Sequence, residues 1–470
     1  MSLPANLSFF MQRLQGTSFS QVKIFPQTDG NQNSGKIIRF ELPSNTLLDT
    51  RKLRILFNCV TSGAGASMPN DVSSFVERIS IYMGGVLVQN GFQGYNTLVH
   101  AKAALQGSKC GSVLSHPEIV RKISYHDGSS FGNTDPEAYS TNGTEEFAID
   151  HFEGLLGSLQ PSIIDTGLFP QITVELTLGD DTVCPISEGR LLPDGQGSTS
   201  NNFDKTPSSS PSYTLSQMTL QVEVLGMATS VLDQIVEQRI ASVGYLSLPF
   251  KNYYSFASTH AITSRLNVNS ASWDRLWLVY RPTTYTNKSA PVIVNGYKKS
   301  GAFVSPAIIA ATNGSAGAVT TDIGLPQYGA GGVFNTNSEK YISNYFNFKE
   351  IKTTPSAPAF YQLQVNSANI PAYRMTTAEA YAMSVGAIQH YDKEHKISLD
   401  QYKNNYFVQC YRFCLEKSEE NRLASGLDTR SVSAMVSVNT DNVASCNLTI
   451  FAETTAELRV GSGRAIEVIN

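Results

Sequence analysis

Histidine and cysteine are the residues best suited to bind a metal ion, and the chain has seven and six of them. His390 and His395 form the only close histidine pair, but a spacing of five residues suits neither one helix face nor one strand face. Cys410 and Cys414 fall on one face of a strand and, with Cys446 on a later strand, could offer thiolates to zinc. Because the chain has no CxxC pair, thiols packed in the core are the favoured interpretation, and we predict no metal site.

Motifs that would support catalysis are also weak. Gly179-Asp180-Asp181 has the sequence of the metal-binding hairpin of RNA polymerases, but it ends an alternating strand and has no partner acidic motif, which indicates a turn. The chain has no GxxxxGK[ST], no GxSxG and no GxGxxG before a helix. We therefore predict no catalytic residue, no cofactor and no enzyme activity. A sandwich glycosidase, which needs two carboxylates about 5 to 9 Å apart, is a rival hypothesis without a nominated pair.

The composition is typical of β-sandwiches. Only 16% of the 470 residues are charged and 41% are hydrophobic, with many Tyr and Phe residues and many small polar ones. A net charge of −4 indicates no broad basic surface, so direct sequence-specific nucleic-acid binding is not expected. No run approaches the ~18 apolar residues of a membrane span, and residues 1–16 lack the basic and apolar regions of a secretion signal.

Short alternating segments recur along the whole chain. The strictest is "QITVELTL", where Ile172, Val174 and Leu176 point to one side and the intervening residues point to the other. Similar segments include "KIIRFELP", "KLRILFNCV", "DRLWLVYRP" and "CNLTIFAETTAELRV". A period of two gives each strand one core face and one solvent face, as in antiparallel sandwiches. The sequence therefore predicts an all-β fold.

One motif occurs twice, and this repetition predicts two related domains. In residues 77–105 a strand, a Gly84-Gly85 turn and a second strand precede a helix with an apolar stripe. The same order recurs about 284 residues later, where residues 376–391 form the helix, with a capping box at Thr376 and Glu379. Its predicted stripe consists of Ala378, Tyr381, Val385 and Ile388.

Between the two copies lies a helical segment, residues 230–242, which we interpret as a connector. The predicted domains are residues 1–230 and 243–470, joined by a connector helix at 231–242.

Three loop regions are rich in Gly, Ser, Asn and Pro: residues 126–145, 185–213 and 282–340. The third is an insertion in the second domain, and its short apolar runs, Val292 to Val294 and Phe303-Val304, need burial. We expect it to fold back as a small tower.

Specific stretches resemble a known family. "FELPSNTLLDTRKLRILFNCVTS", "SFVERISIYMGGVLVQNGFQGYNTLVHAKAAL" and the ending "TTAELRVGSGRAIEVIN" are similar to the double jelly-roll major capsid proteins of eukaryotic DNA viruses, of the polinton-like virus, virophage and adintovirus type. The resemblance implies two tandem eight-stranded jelly rolls with a few short helices and long loops. It also implies pseudo-hexagonal homotrimers that tile an icosahedral virion shell assembled inside the host cell. In such a trimer, three copies of the insertion at 282–340 would cover one another around the threefold axis.

Further partners implied by the resemblance are neighbouring capsomers, penton proteins and minor or cement capsid proteins. One alternative from another class stays open, a carbohydrate-binding sandwich or adhesin. Its Tyr-rich loops would bind a glycan, and the protein would be monomeric.

Overall fold

The computed structural model of the chain describes residues 18–28, 30–62, 68–69, 71–89, 92–106, 146–184, 212–226, 230–282, 341–388, 406–414, 426–430 and 434–470. It also describes the short stretches 291–293, 297–299, 302–304, 399 and 402–403. Four large antiparallel sheets are present in this part of the chain, and each sheet draws its strands from only one half of the sequence.

The first sandwich is built from β1 (Ser18–Ile24), β2 (Gln32–Asn33), β3 (Ile37–Glu41), β4 (Leu47–Asp49), β5 (Arg54–Ser62), β6 (Val76–Met83), β7 (Val86–Gln89), β8 (Glu146–Ile149), β9 (Ile163–Asp165), β10 (Ile172–Leu178) and β11 (Ser212–Gly226). One sheet has the order β8-β5-β11-β4-β9, with β1 and β2 also paired to β11. The facing sheet has the order β3-β10-β6-β7.

The second sandwich is built from β12 (Tyr245–His260), β13 (Thr263–Val268), β14 (Trp273–Pro282), β19 (Phe360–Val365), β20 (Ala368–Thr376), β21 (Val408–Arg412), β22 (Ala434–Asp441), β23 (Cys446–Gly461) and β24 (Ile466–Ile469). Its sheets have the orders β12-β23-β14-β21 and β13-β22-β19-β20, and β24 pairs with β23. The long connection between β14 and β19 carries four short strands, β15 (Pro291–Ile293), β16 (Tyr297–Lys299), β17 (Ala302–Val304) and β18 (Tyr341–Ser343).

The two sandwiches have the same eight-stranded topology. The β1, β11, β5 and β8 strands of the first pair in the same order as β12, β23, β14 and β21 of the second. The facing sheets, β3-β10-β6-β7 and β13-β22-β19-β20, also correspond strand for strand. This order is that of a jelly roll. The predicted fold class is confirmed, while the exact domain limits stay a prediction.

Four helices lie within the described residues: α1 (Tyr95–Gln106), α2 (Leu155–Ser158), α3 (Ser230–Val243) and α4 (Thr377–Gly386). α1 and α4 each follow the hairpin of their own sandwich, as the repeated motif predicts. Tyr95, Leu98 and Ala101 of α1 are fully buried, so its apolar stripe forms part of the core. α4 begins at a capping box in which Thr376 and Glu379 bond each other's backbone N–H groups.

The predicted stripe of α4 is only partly correct. Ala378 is exposed, while Ala380 and Ser384 are fully buried, and the helix ends at Gly386, before Ile388. Ser384 satisfies its hydroxyl locally by donating to the Ala380 carbonyl at 2.6 Å, so a polar residue is tolerated on the buried face.

The insertion between β14 and β19 contains local strand pairing, since β15 pairs with β18 and β16 pairs with β17. The first apolar run therefore lies largely in a strand, as does the second. The rest of residues 283–340 lies outside the described residues, as do the predicted loop at 126–145 and most of 185–213. The tower and its mutual cover stay a prediction.

The connections are distributed unequally between the two ends of each sandwich. The strand registers place the connections after β5, β7 and β10, and those after β14 and β20, at one end, which we call the loop end. Most of the long connections leave from this end, but the connection between β21 and β22, residues 413–433, leaves from the opposite end, because Arg412 pairs with Arg275 near the start of β14 and Ala434 pairs with Val268 at the end of β13. The opposite end, which we call the base end, carries the tight hairpin turns at 84–85 and 366–367 and the α3 connector. The long connections are thus concentrated at the loop end, while the tight hairpin turns of both sandwiches lie at the base end.

The hairpin turn at the base end provides a first test. Gly84 and Gly85 have φ of +59° and +83°, where alanine costs about 1–2 kcal/mol. A Cβ on Gly84 would also lie 2.8 Å from the Pro170 Cβ atom, whereas a Cβ on Gly85 would meet nothing within 4 Å. We expect Gly84→Ala to lower the free energy of unfolding by about 1–3 kcal/mol more than Gly85→Ala does, because it adds this clash. Urea unfolding of both variants measures the difference, and equal losses would contradict the predicted contact.

Candidate functional site: the junction between the sandwiches

The buried apolar residues of both sandwiches form one continuous cluster, and α1 lies where they meet. Just before α1, the Phe92 ring lies 5.5 Å from the Tyr253 ring of β12 and 5.9 Å from the Phe451 ring of β23, measured between centroids. Rings at these distances add packing energy to the area that they bury. The first sandwich is thus packed directly on a sheet of the second through its helix α1.

The free edge of β12 is covered by the first sandwich. The Gln160 N–H donates to the Pro249 carbonyl at 3.1 Å, and the Lys251 N–H donates to the Ser158 hydroxyl at 2.7 Å. These donors and acceptors belong to the segment around α2 on one side and to β12 on the other. An uncovered strand edge would offer these backbone groups to other chains, so the junction closes this edge within the molecule.

A buried ionic group crosses the junction. The Lys102 ammonium of α1 lies 2.5 Å from the Glu153 carboxylate and 3.1 Å from the Tyr253 hydroxyl. The Tyr253 hydroxyl in turn donates to Glu153 at 3.0 Å. The Glu153 N–H is held by the Tyr95 hydroxyl oxygen at 2.9 Å. Because charges in a dry interface need their partners, this triad specifies one relative position of α1 and β12.

The environment of Glu153 stabilises its charged form. Burial alone would raise the pKa of this carboxyl, but the Lys102 ammonium and His151, 3.5 Å away, outweigh burial and hold the pKa well below its usual range. A lowered carboxyl pKa contributes stability above the unfolded value of about 4.3. That contribution is lost as the pH falls toward the folded pKa.

Two further ion pairs are buried in the sheet that α1 covers. Arg275 binds Glu453 at 2.8 Å, and Glu453 also accepts from the Trp277 indole at 3.1 Å. Lys251 binds Asp274 at 2.6 Å. The pKa of Glu453 is lowered, because its positively charged partners outweigh the effect of burial. The pKa of Asp274 is raised, because the effect of burial outweighs that of Lys251. Arg275, Lys102 and Lys251 together favour the charged form of Glu453.

A second set of contacts ties the loop end of the junction. Arg281 at the end of β14 donates to the Thr97 hydroxyl of α1 at 2.8 Å and lies 4.6 Å from the Tyr345 ring centroid. Phe346 stacks on His100 of α1 with 3.8 Å between ring centroids. Tyr345 and Phe346 follow the insertion directly, so its exit is anchored on the first sandwich. Because residues at the loop end of one sandwich contact residues at the loop end of the other, the loop ends of both sandwiches lie on the same side of the molecule.

The sequence-predicted candidates do not assemble into a chemical site. The Asp180 carboxylate accepts from the Thr182 N–H at 2.9 Å and caps a single 3₁₀ turn, Asp181–Val183, so Gly179-Asp180-Asp181 connects β10 to this turn. Cys410 pairs with Trp277 and Cys446 with Pro282, five residues further along β14, or about 16 Å. These two thiols are therefore too far apart to share zinc.

The described residues lack two further kinds of feature. No group of three metal-ligating side chains occurs among them. His390 and His395 lie outside them, as does Cys110. No helix in the described part of the chain has the length and apolar content needed to cross a bilayer.

Sequence reasoning did not identify the junction, although one signal was available. Lys102 occupies a stripe position of α1, since 95, 98, 102 and 105 recur at intervals of three and four. A lysine at a position that the period assigns to the buried face indicates a buried partner. Its partners Glu153 and Tyr253 are distant in sequence, and no local pattern connects them.

Comparison with known proteins shows what this arrangement is similar to. No protein-family model and no curated protein sequence matches the chain. Among solved structures, PBCV-1 VP54 fitted into a cryo-EM reconstruction of the virophage Sputnik matches with a TM-score of 0.55 at 12% identity, covering 97% of this chain and 98% of that one. The quasi-atomic model of the PBCV-1 virus capsid matches with a TM-score of 0.52 at 10% identity and the same coverage.

The chain has the double jelly-roll fold. Coverage of nearly the whole length on both sides means that both jelly rolls and their side-by-side placement are shared, and not one sandwich alone. The fold expected from the sequence resemblance is confirmed. Within this double jelly roll, the junction built by α1, α2 and β12 is the feature that joins the two units.

The triad predicts a specific pattern in a double-mutant cycle. Lys102→Met leaves the Glu153 charge buried without its cation and should lower the free energy of unfolding by about 3–5 kcal/mol. Adding Glu153→Leu removes the unpaired charge and should restore most of the loss. Urea unfolding measures both variants. Arg374→Gln, which breaks an exposed pair with Asp441, is the control and should cost less than about 1 kcal/mol. Equal losses in the single and double variants would contradict the triad.

The buried thiols are predicted to react slowly with maleimide in the native protein. Cys59, Cys184, Cys410, Cys414 and Cys446 are buried thiols that form no disulfide with one another, and burial raises the pKa of each, that of Cys446 to about 11. In a Cys110→Ser background at pH 8, the native protein should resist maleimide while the urea-unfolded protein takes up five labels. Adding Ile262→Cys at a site 70% exposed provides a positive control that labels at once. Rapid labelling of the native Cys110→Ser protein would contradict this.

Proposed function

We propose that this protein is a major capsid protein, a structural subunit of an icosahedral virion shell. The support is the double jelly-roll fold, which matches over nearly its whole length a structure of the PBCV-1 virus capsid. The low charge content suits broad contacts between subunits, because desolvating charges costs more than desolvating amides and hydroxyls. The subunit acts by self-association and carries out no catalysis.

The single observation that supports the assembly state is the head-to-tail junction. One side of the first sandwich, with α1 and α2, packs on the sheet and free edge of β12 in the second. When two similar units are joined through different surfaces, a further unit can be added through the same two surfaces and with the same rotation. Six similar sandwiches close a ring, and two sandwiches per chain make that ring a homotrimer with a pseudo-hexagonal outline. Such trimers would tile the shell beside neighbouring capsomers.

The two ends of the sandwiches suggest an orientation in the shell. The loop end, which carries most of the long connections, would face outward, and the base end, which carries the tight hairpin turns, would face the interior. Penton and minor or cement capsid proteins would complete the shell at positions that trimers do not fill. The net charge of −4 gives no reason to assign sequence-specific nucleic-acid binding.

Purified protein tests the proposal directly. We expect sedimentation to give a particle of about three chain masses at micromolar concentration, and negative-stain electron microscopy to show hexagonal plates or shells. The interface per pair of chains should exceed the ~2,000 Å² typical of obligate assemblies. A monomer that persists under altered salt and crowding would contradict the proposal. Such a monomer that also bound an immobilised glycan array would support the carbohydrate-binding alternative.

A further inference from the structure

In the second sandwich, a lysine and an aspartate touch each other across an intervening strand. Lys251 of β12 and Asp274 of β14 lie on either side of β23, and Lys251 pairs with Thr455 of that strand. The Lys251 ammonium lies 2.6 Å from Asp274 Oδ2. Because β12 and β14 are not neighbours in the sheet, a bond formed between these two side chains would tie three strands together.

Both groups are removed from water. Asp274 is fully buried, and Lys251 is only 7% exposed. The backbone at Gly426 closes over the carboxyl group, since a Cβ there would lie 2.6 Å from Asp274 Oδ1 and 2.2 Å from the Trp273 carbonyl oxygen. Two ions in such a dry site carry a high desolvation cost. Transfer of one proton from the ammonium to the carboxylate removes both charges and leaves an amine beside a carboxylic acid.

Asp274 differs in this respect from the other paired carboxylates near the junction. Burial, and to a smaller extent the charge of Glu453, raises the pKa of Asp274 despite Lys251, whereas the pKa values of Glu153 and Glu453 are lowered. The partner of Glu453 is also a guanidinium, which stays charged and is no nucleophile. Of these three pairs, Lys251 and Asp274 are the one in which the uncharged amine and acid are favoured.

Two hydroxyl groups are placed to assist a reaction between this amine and this acid. The Thr455 hydroxyl donates to Asp274 Oδ2 at 2.6 Å and accepts from Lys251 Nζ at 3.0 Å. The Ser272 hydroxyl donates to Asp274 Oδ1 at 2.9 Å. One carboxyl oxygen is therefore held by a hydrogen-bond donor, while the other lies beside a hydroxyl that can pass a proton from the amine to it.

We propose that Lys251 and Asp274 form an isopeptide bond, so that the chain modifies itself at this site. In the uncharged pair, the Nζ lone pair attacks Asp274 Cγ, and Oδ1, held by the Ser272 hydroxyl, carries the developing negative charge. Thr455 takes a proton from Nζ and gives its own to Oδ2. One Nζ–Cγ bond forms, the Cγ–Oδ2 bond breaks, and one water leaves. The reaction needs no oxidant and no co-reactant.

The inference does not depend on the proposed function. The bond would close residues 251–274 into a covalent loop and would hold β12 and β14 on either side of β23. Such a crosslink restricts the unfolded chain, as a disulfide does, and reducing agents do not cleave it. The sheet on which the first sandwich packs would then keep its strand order even when the hydrogen bonds between its strands open.

The mass of the full-length wild-type protein under denaturing conditions tests the proposal. We expect it to be one water lighter than the mass of the sequence, and fragmentation of the linked tryptic peptides should assign the bond to Lys251 and Asp274. The Lys102 and Glu153 pair, equally close but with an ionised carboxylate, should remain unlinked in the same digest. A wild-type protein of full sequence mass would overturn the proposal and leave a plain ion pair.

Two variants identify the reacting groups. Lys251→Arg keeps a cation but cannot form the amide, so the folded variant should have its full sequence mass. A loss of water that persisted in this variant would come from another reaction, such as cyclisation of an aspartate on its own backbone, and would contradict the proposal. Asp274→Asn should release ammonia in place of water, so its linked product should have the same mass as the linked wild type.

Substitutions at Thr455 test the proton relay. Thr455→Val removes the hydroxyl with little change in shape, and the bond should form at least about tenfold more slowly. Thr455→Ser keeps the hydroxyl and should restore the rate, which a purely structural role of the threonine side chain would not predict. The linked fraction is measured by mass at intervals after cell-free synthesis. Equal rates in Thr455→Val and the wild type would overturn the relay.

Discussion

A β-sandwich must dispose of the edges of its sheets, and this constraint shapes the molecule. Backbone N–H and C=O groups at an open edge are ready to pair, so a stable protein covers them. Here the free edge of β12 is covered by the segment around α2, and α1 packs on the adjoining sheet. The second sandwich depends on the first for this cover. The two jelly rolls therefore behave as one unit rather than as two domains on a tether.

Buried charge gives that unit a defined geometry. Apolar packing at the junction would tolerate small shifts, because contact between side chains of similar size is not strongly directional. Lys102, Glu153 and Tyr253 form a closed set of hydrogen bonds between α1, the segment before α2, and β12. A shift of one residue would leave a buried charge without its partner, which costs several kcal/mol. The triad thus fixes the angle between the sandwiches more than it adds to stability.

Much of the fold could be predicted from local patterns. Strict alternation in residues 172–178 located β10, the Gly84-Gly85 turn located a hairpin, and the Thr376 capping box located the start of α4. These features depend on neighbours in the sequence. The order of strands in each sheet, the cover over β12 and the partners of Lys102 depend on residues more than fifty positions apart. The wrong assignment of Ala378 to the buried face of α4 shows the same limit, because the sandwich decides which face a short helix buries.

The concentration of long connections at the loop end separates two kinds of evolutionary change. Insertions in residues 283–340 or in the other long connections lengthen the chain outside the strands of the four large sheets. Substitutions at the base end and along α1 act on turns and contacts that set how the sandwiches meet. The length of the connections at the loop end can therefore change, while the contact surface between the two sandwiches stays the same. Foreign peptides inserted for display into these connections would be tolerated for the same reason, since they would lengthen loops and leave the paired strands unchanged.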